Sequence, residues 1–201
     1  MIITSLPALR ALYAEPNERA RRKEITTLDV HCQRFIGLSP FVLLATSDAH
    51  HQLDASPRGG SPGFVKIAAS GDLLIPDAPG NNRLDSLENI VTTGSVGLLF
   101  LIPGVDETLR VNGDAVLSQD PEDIAVCTDE RRAPKLVIRV AVRAAYVHCA
   151  KALMRSQLWS ASSQIDRRTL PTIGEMLNDQ TGISTPPETR EAMVTRYTPE
   201  L

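Results

Sequence analysis

Aromatic side chains are scarce, at 4% of 201 residues. That is too few to supply the stacking platforms on which single strands of nucleic acid are held. An excess of positive charge is missing too. The formal net charge is −3, which argues against a general nucleic-acid or anionic-membrane binder and leaves room only for a local basic pocket. There are three cysteines, Cys32, Cys127 and Cys149. Their odd number and wide spacing suggest neither a disulfide framework nor a zinc site. His50 and His51 lie near Asp48 and Asp54, but adjacent histidines on one loop rarely converge on a metal, so no metal is expected. No apolar run approaches the length that spans a bilayer. Met1-Ile2-Ile3-Thr4 lacks a charged start followed by a long apolar run, so no signal peptide is read and a cytoplasmic location is expected. No glycine-rich dinucleotide or triphosphate loop occurs, and no strand-to-helix nucleophile elbow is expected.

What is present is a series of short apolar runs separated by turn residues. Phe41–Thr46 and Val96–Ile102 are continuous and read as strands buried on both faces. Thr108 to Leu117 alternates, with Leu109, Val111, Gly113, Ala115 and Leu117 on one face and Thr108, Arg110, Asn112 and Asp114 on the other. Leu53–Ser56 starts a return strand that breaks at Pro57 and resumes over Phe64–Ala68, and Leu73–Ile75 and Leu136–His148 add further extended segments. About six strands with short turns and one internal helix predict a mainly β fold, a small antiparallel barrel with flanking helices. Three parts are expected: an N-terminal helical arm over 1–40, the barrel over 41–150, and a helical or irregular extension over 151–201. Within the arm, one short helix is expected around Leu6–Tyr13 and a second from Pro16, with Ile25, Leu28, Cys32, Phe35 and Ile36 along one face.

Four constellations could carry chemistry. In the stretch from Leu73, the run breaks at Pro76, Pro79 and Gly80, and Asn81 or Asn82 is offered as a helix cap before Leu84, Leu87, Ile90 and Val91. Arg83 then falls in the first helical turn, where an acid is better suited to the helix dipole. Two Asn amides, a guanidinium and free N–H groups there suit a phosphate, and the plainer alternative is a solvated Arg on a capped helix. In Asp54-Ala55-Ser56-Pro57-Arg58-Gly59-Gly60, Arg58 can clamp a phosphate or a carbonyl oxygen, or simply sit exposed at a bulge. Arg110 and Asn112 share the polar face of one strand and could line a ligand groove. Lys151 and Arg155 stand at helical i, i+4 spacing, which favours an anionic ligand or an acidic neighbour, with Trp159 close behind.

The ordered set Asp54–Gly59, Pro62–Val65, Gly80–Leu87, Thr108–Gly113 and His148–Ala152 resembles the pyridoxamine 5′-phosphate oxidase-like flavoproteins, and more narrowly their branch of uncharacterised FMN-dependent enzymes. The resemblance implies an FMN-binding split β-barrel of six antiparallel strands, forming a homodimer with FMN at the subunit interface. It implies that Arg58 contacts the flavin or its phosphate. Ile75, Pro76 and Asp77 would lie along the flavin, and Asn81, Asn82 and Arg83 would hold the phosphate. Arg110 and Asn112 would border the cofactor, and Lys151, Arg155 and Trp159 would lie on the substrate side. The implied function is an FMN-dependent oxidoreductase acting on a small molecule, with no catalytic residue assigned. The Tyr, Arg and Ser set of true oxidases is not evident, so pyridoxamine phosphate is not the expected substrate. Two alternatives stay open: a flavin carrier or sensor without turnover, and a binder of haem or a deazaflavin in the same groove.

Overall fold

A computed structural model of the protein describes residues 2–129 and 132–200. Its centre is one seven-stranded antiparallel sheet that curls on itself as a split barrel. The strands are β1 (Phe41–Ser47), β2 (Leu53–Gly59), β3 (Lys66–Ile67), β4 (Leu73–Pro76), β5 (Ser95–Leu101), β6 (Thr108–Ser118) and β7 (Val137–His148), in the order β2-β1-β5-β6-β7-β4-β3. Seven strands replace the expected six because the segment after Phe64 keeps only Lys66–Ile67 as a separate short edge strand.

The inner face is filled by alternate residues of the strands. Val42 and Leu44, Val96, Leu98 and Phe100, Leu109 and Val111, and Ile138 and Val140 meet there. Two helices close it: α3 (Val30–Leu38) through Cys32 and Ile36, and α4 (Asp85–Thr93) through Leu87 and Ile90. The alternation over β6 holds as expected, except that Thr108 is also buried. A bulge interrupts the pairing of β6 with β7 between Asn112 and Gly113. Gly113 is needed there, since a Cβ would meet the Ala141 carbonyl and the Val140 side chain.

Two expectations are corrected. The helix drawn from Pro16 is broken into α2 (Glu18–Arg22) and α3. The β-branched run Ile25-Thr26-Thr27 resists helix formation, and Asp29 starts α3 anew by accepting a bond from the Cys32 N–H at 2.8 Å. Ile25 instead exchanges both main-chain hydrogen bonds with Ala145, at 3.0 and 2.8 Å. It covers the edge of β7 beyond the last residue paired with β4. The second correction is β2, which runs on through Pro57 and Arg58 to Gly59. It is an edge strand, so the missing Pro57 N–H leaves no ladder partner unsatisfied. The first helix, α1, spans only Leu6–Arg10. The remaining helices are α5 (Pro121–Cys127), α6 (Lys151–Ser156), α7 (Ile173–Thr181) and α8 (Arg190–Tyr197).

Candidate functional site

The sheet is apolar inside except at one edge. Asp54, Ser56 and Arg58 of β2 lie opposite Thr46, Leu44 and Val42 of β1, so they share the core face. All three are half-buried. The Asp54 carboxylate accepts from Ser56 Oγ at 3.0 Å and from Ser86 Oγ at 2.5 Å. Ser86 is buried in the first turn of α4, so this bond ties the helix start to the sheet edge.

The chain before α4 makes a compact polar loop. Asn81 Oδ1 accepts from the Arg83 N–H at 3.0 Å, and Asn82 takes a left-handed backbone with φ of 59°. Asn81 is therefore spent on a local turn. The helix begins later than expected, at Asp85, with Leu84 at the cap position and no side-chain cap. Its first turn carries Asp85 and Glu88, which answer the helix dipole. Arg83 thus precedes the helix. It is exposed and its Nε donates to Asp85 Oδ2 at 2.5 Å, with Asp85 and then Asp54 raising its pKa. An anion for Arg83 is thus present in the chain itself, in Asp85.

Asp77 follows β4, and its N–H donates to the Leu136 carbonyl at 3.0 Å. Burial pushes its carboxyl up, while Arg58, Lys135 and Arg132 pull it down. Arg58 and, after it, Lys135 and Arg132 therefore act electrostatically on one half-buried carboxylate just past the end of β4. Arg58 and Asp77 act on one another, while Arg83 and Ser86 meet Asp54 farther along β2; Asn81 and Asn82 belong to the loop just before Arg83. Pro76 is half-buried beside Asp77. Ile75 is fully buried in the core, which leaves its main chain, not its side chain, to face a ligand.

The other candidates lie elsewhere. Arg110 and Asn112 are exposed on the outer face of β6, and Arg110 Nη1 donates to Tyr146 Oη at 2.9 Å. Lys151 and Arg155 are exposed on α6. Trp159 is half-buried, and its Nε1 donates to the Val105 carbonyl at 2.9 Å in the turn between β5 and β6. Residue reasoning missed Arg132 and Lys135, which no motif marks, and Ser86, whose role needs the distant Asp54. It also missed that Gly59-Gly60-Ser61-Pro62-Gly63 has the Gly-x-Ser-x-Gly spacing. That string joins β2 to β3 and precedes no helix, so it is not a nucleophile elbow. Among the described residues no group of His, Cys, Asp or Glu is arranged to hold a metal, and no helix is long and apolar enough to cross a membrane.

A family model described as pyridoxamine 5′-phosphate oxidase matches residues 28–149, from just before α3 to just past the end of β7. The chain belongs to this family. Among solved structures, a variant of the HupZ protein of Group A Streptococcus is 15% identical, with 61% of this chain and 100% of that chain covered and a TM-score of 0.50. A conserved hypothetical protein of Mycobacterium tuberculosis is 15% identical over 75% of this chain and 98% of its own, with a TM-score of 0.47. An F420 reductase is 16% identical over 58% and 94%, with a TM-score of 0.41. At these identities the likeness is one of fold. No curated protein matches the chain.

Proposed function

We propose that the protein is an FMN-dependent oxidoreductase acting on a small molecule, and that it works as a homodimer with the flavin between subunits. The observation that carries this reading is the polar corner at the edge of an otherwise apolar barrel. Arg58 is half-buried on the core face of β2, with Arg132 and Lys135 acting on the same Asp77 carboxylate. Arg83 and Asn82 are exposed in the loop that leads into α4. The donor set suits a doubly charged phosphate, because guanidinium groups bind its oxygens in pairs. Arg83 would exchange Asp85 for the phosphate, and Asn81 would hold the loop in shape through its bond to the Arg83 N–H. The main chain at Ile75 and the ring of Pro76 would border the flavin, with Asp77 and Arg58 orienting it.

Arg110 and Asn112 are on the outer face and would reach the cofactor only from a second copy of the chain. Lys151, Arg155 and Trp159 would lie toward the substrate, the first two attracting an anionic group. FMN, when bound, supplies the hydride chemistry, and the chain supplies its position and its electrostatic surroundings. Three free cysteines are consistent with a reducing, cytoplasmic compartment.

The test is flavin titration of the purified protein, read by absorbance after gel filtration. Flavin should stay with dimer-sized protein, and Arg83→Ala should weaken its binding roughly tenfold, as for loss of one charged contact. Undiminished affinity in Arg83→Ala and in Arg58→Ala would sink the phosphate assignment. Uptake of haem or a deazaflavin in place of FMN would replace the cofactor while keeping the barrel. Tight FMN binding without reduction by any donor would leave a carrier or sensor.

A further inference from the structure

Away from that corner, an open hollow of about 420 Å³ lies where the N-terminal arm crosses the outer face of β7. Its lining includes Arg21, Lys23, Glu24, Tyr146 and His148. Tyr146 is its fixed point. Lys23 Nζ sits 4.8 Å from the centre of the Tyr146 ring and donates to the Val147 carbonyl at 3.2 Å. The Arg110 guanidinium lies 5.7 Å from the same ring and bonds the phenol oxygen. The ring attracts both cations through its negative face, and this attraction does not cancel their charge. Among the described residues neither Lys23, Arg110 nor Arg21 forms a salt bridge with a carboxylate. Two uncompensated cations held at one ring repel each other, and an anion between or beside them relieves that cost.

We propose that this hollow binds a small oxyanion, the phosphate or carboxylate end of a small molecule, with Lys23 and Arg21 as its donors and Arg110 bonded to the Tyr146 phenol beside it. Arg21 and Lys23 belong to the arm before residue 28, outside the family match, so the site is built from an addition to the shared barrel. Positioning comes from Ile25, whose two main-chain bonds to Ala145 hold the arm in register beside Tyr146. Glu24 is the only carboxylate in the lining and opposes an anion. The inference does not rest on the flavin reading.

The experiment is calorimetric titration of the flavin-free full chain with inorganic phosphate and, separately, with succinate. Binding of either anion that depends on Lys23 supports the site, and the stronger of the two names the ligand group. Lys23→Gln should weaken it about tenfold, a loss of one charged contact. Glu24→Gln should tighten it, because only a repelling carboxylate is removed. Tyr146→Phe keeps the ring, frees Arg110 and should give a smaller loss than Lys23→Gln. Arg83→Ala should leave it unchanged, since Arg83 belongs to the loop that leads into α4. Binding that survives Lys23→Gln but is lost in Arg83→Ala would move the anion to the proposed flavin phosphate site and overturn the inference. So would the absence of binding by either anion, or unchanged affinity in Glu24→Gln.

Discussion

The barrel and its arms are held together in different ways. Within residues 28–149 each helix buries side chains: Cys32 and Ile36 in α3, Leu87 and Ile90 in α4, and Cys127 in α5. Among the described residues, α1, α2, α6, α7 and α8 bury none. Those helices rest on local devices instead. Thr172 and Glu175 form a capping box at α7, and Glu18 with Arg22 and Glu188 with Arg196 make exposed ion pairs. Such devices shape a helix but add little to global stability. The barrel therefore carries the folding free energy, and the arms carry surface that the fold leaves free for ligands or partners.

The contrast is broken or sharpened first by truncating one side chain in each region. Phe100 is wholly buried in β5, whereas Leu6 in α1 is 76% exposed. Phe100→Ala should cost about 3–5 kcal/mol in urea unfolding through lost packing and a cavity. Leu6→Ala should cost less than about 0.5 kcal/mol. A comparable loss from Leu6→Ala would show that the arm packs against something in solution.

Next in size is the polar tie on the outside of the barrel. Asp123, buried in α5, accepts from Ser118 Oγ at 2.6 Å and from Arg139 Nη1 at 3.2 Å, while Arg139 Nε also reaches Asp72 at 2.9 Å. Asp123→Ala should cost about 2 kcal/mol, the scale for bonds to a charged group. An effect near zero would mean that Asp72 alone satisfies Arg139.

A smaller effect is expected at the boundary where the barrel begins. The bond from the Cys32 N–H holds the Asp29 carboxyl below its ordinary value of 3.8. A lowered folded pKa stabilises the fold above the unfolded pKa, and that contribution is lost as pH falls through the folded value. Asp29→Ala should cost about 1 kcal/mol at neutral pH. The gap between the two proteins should close in acid below the unfolded pKa. A gap that persists there would assign the loss to packing instead of the cap.

The last comparison is chemical. Burial pushes the Cys32 and Cys127 thiols up to about 11, while Cys149 is exposed just after β7. A thiol reagent at mildly alkaline pH should modify one cysteine quickly and the other two only on unfolding. Rapid reaction of all three would mean that α3 and α5 open readily from the barrel.

Much of the barrel was legible before any coordinates. Alternation in Thr108–Leu117 and the apolar runs at Phe41 and Val96 report burial directly, because side chains on a strand alternate faces. The start of α4 was less legible. Asn81 and Asn82 are plausible caps by type, yet the helix starts at Asp85 with Leu84 at the cap position and no side-chain cap, and Ser86 in its first turn bonds the distant Asp54. Arg58 and Arg83 stand out in the sequence by their settings, a glycine-rich loop and a helix start. The approach of Arg58 to Asp77, and of Arg83 to Asp54, required the curl of the sheet, which no local pattern encodes.

By itself the sequence determined the class of fold and the alternating core strands, since these follow from period and composition. Only the tertiary structure decided that Ile25 leaves the helix to cover β7, that Arg110 and Lys23 meet at Tyr146, and that Arg110 and Arg58 lie on opposite faces of one sheet. Those outcomes depend on contacts between residues more than thirty positions apart, set by strand register and by the need to cover an open edge.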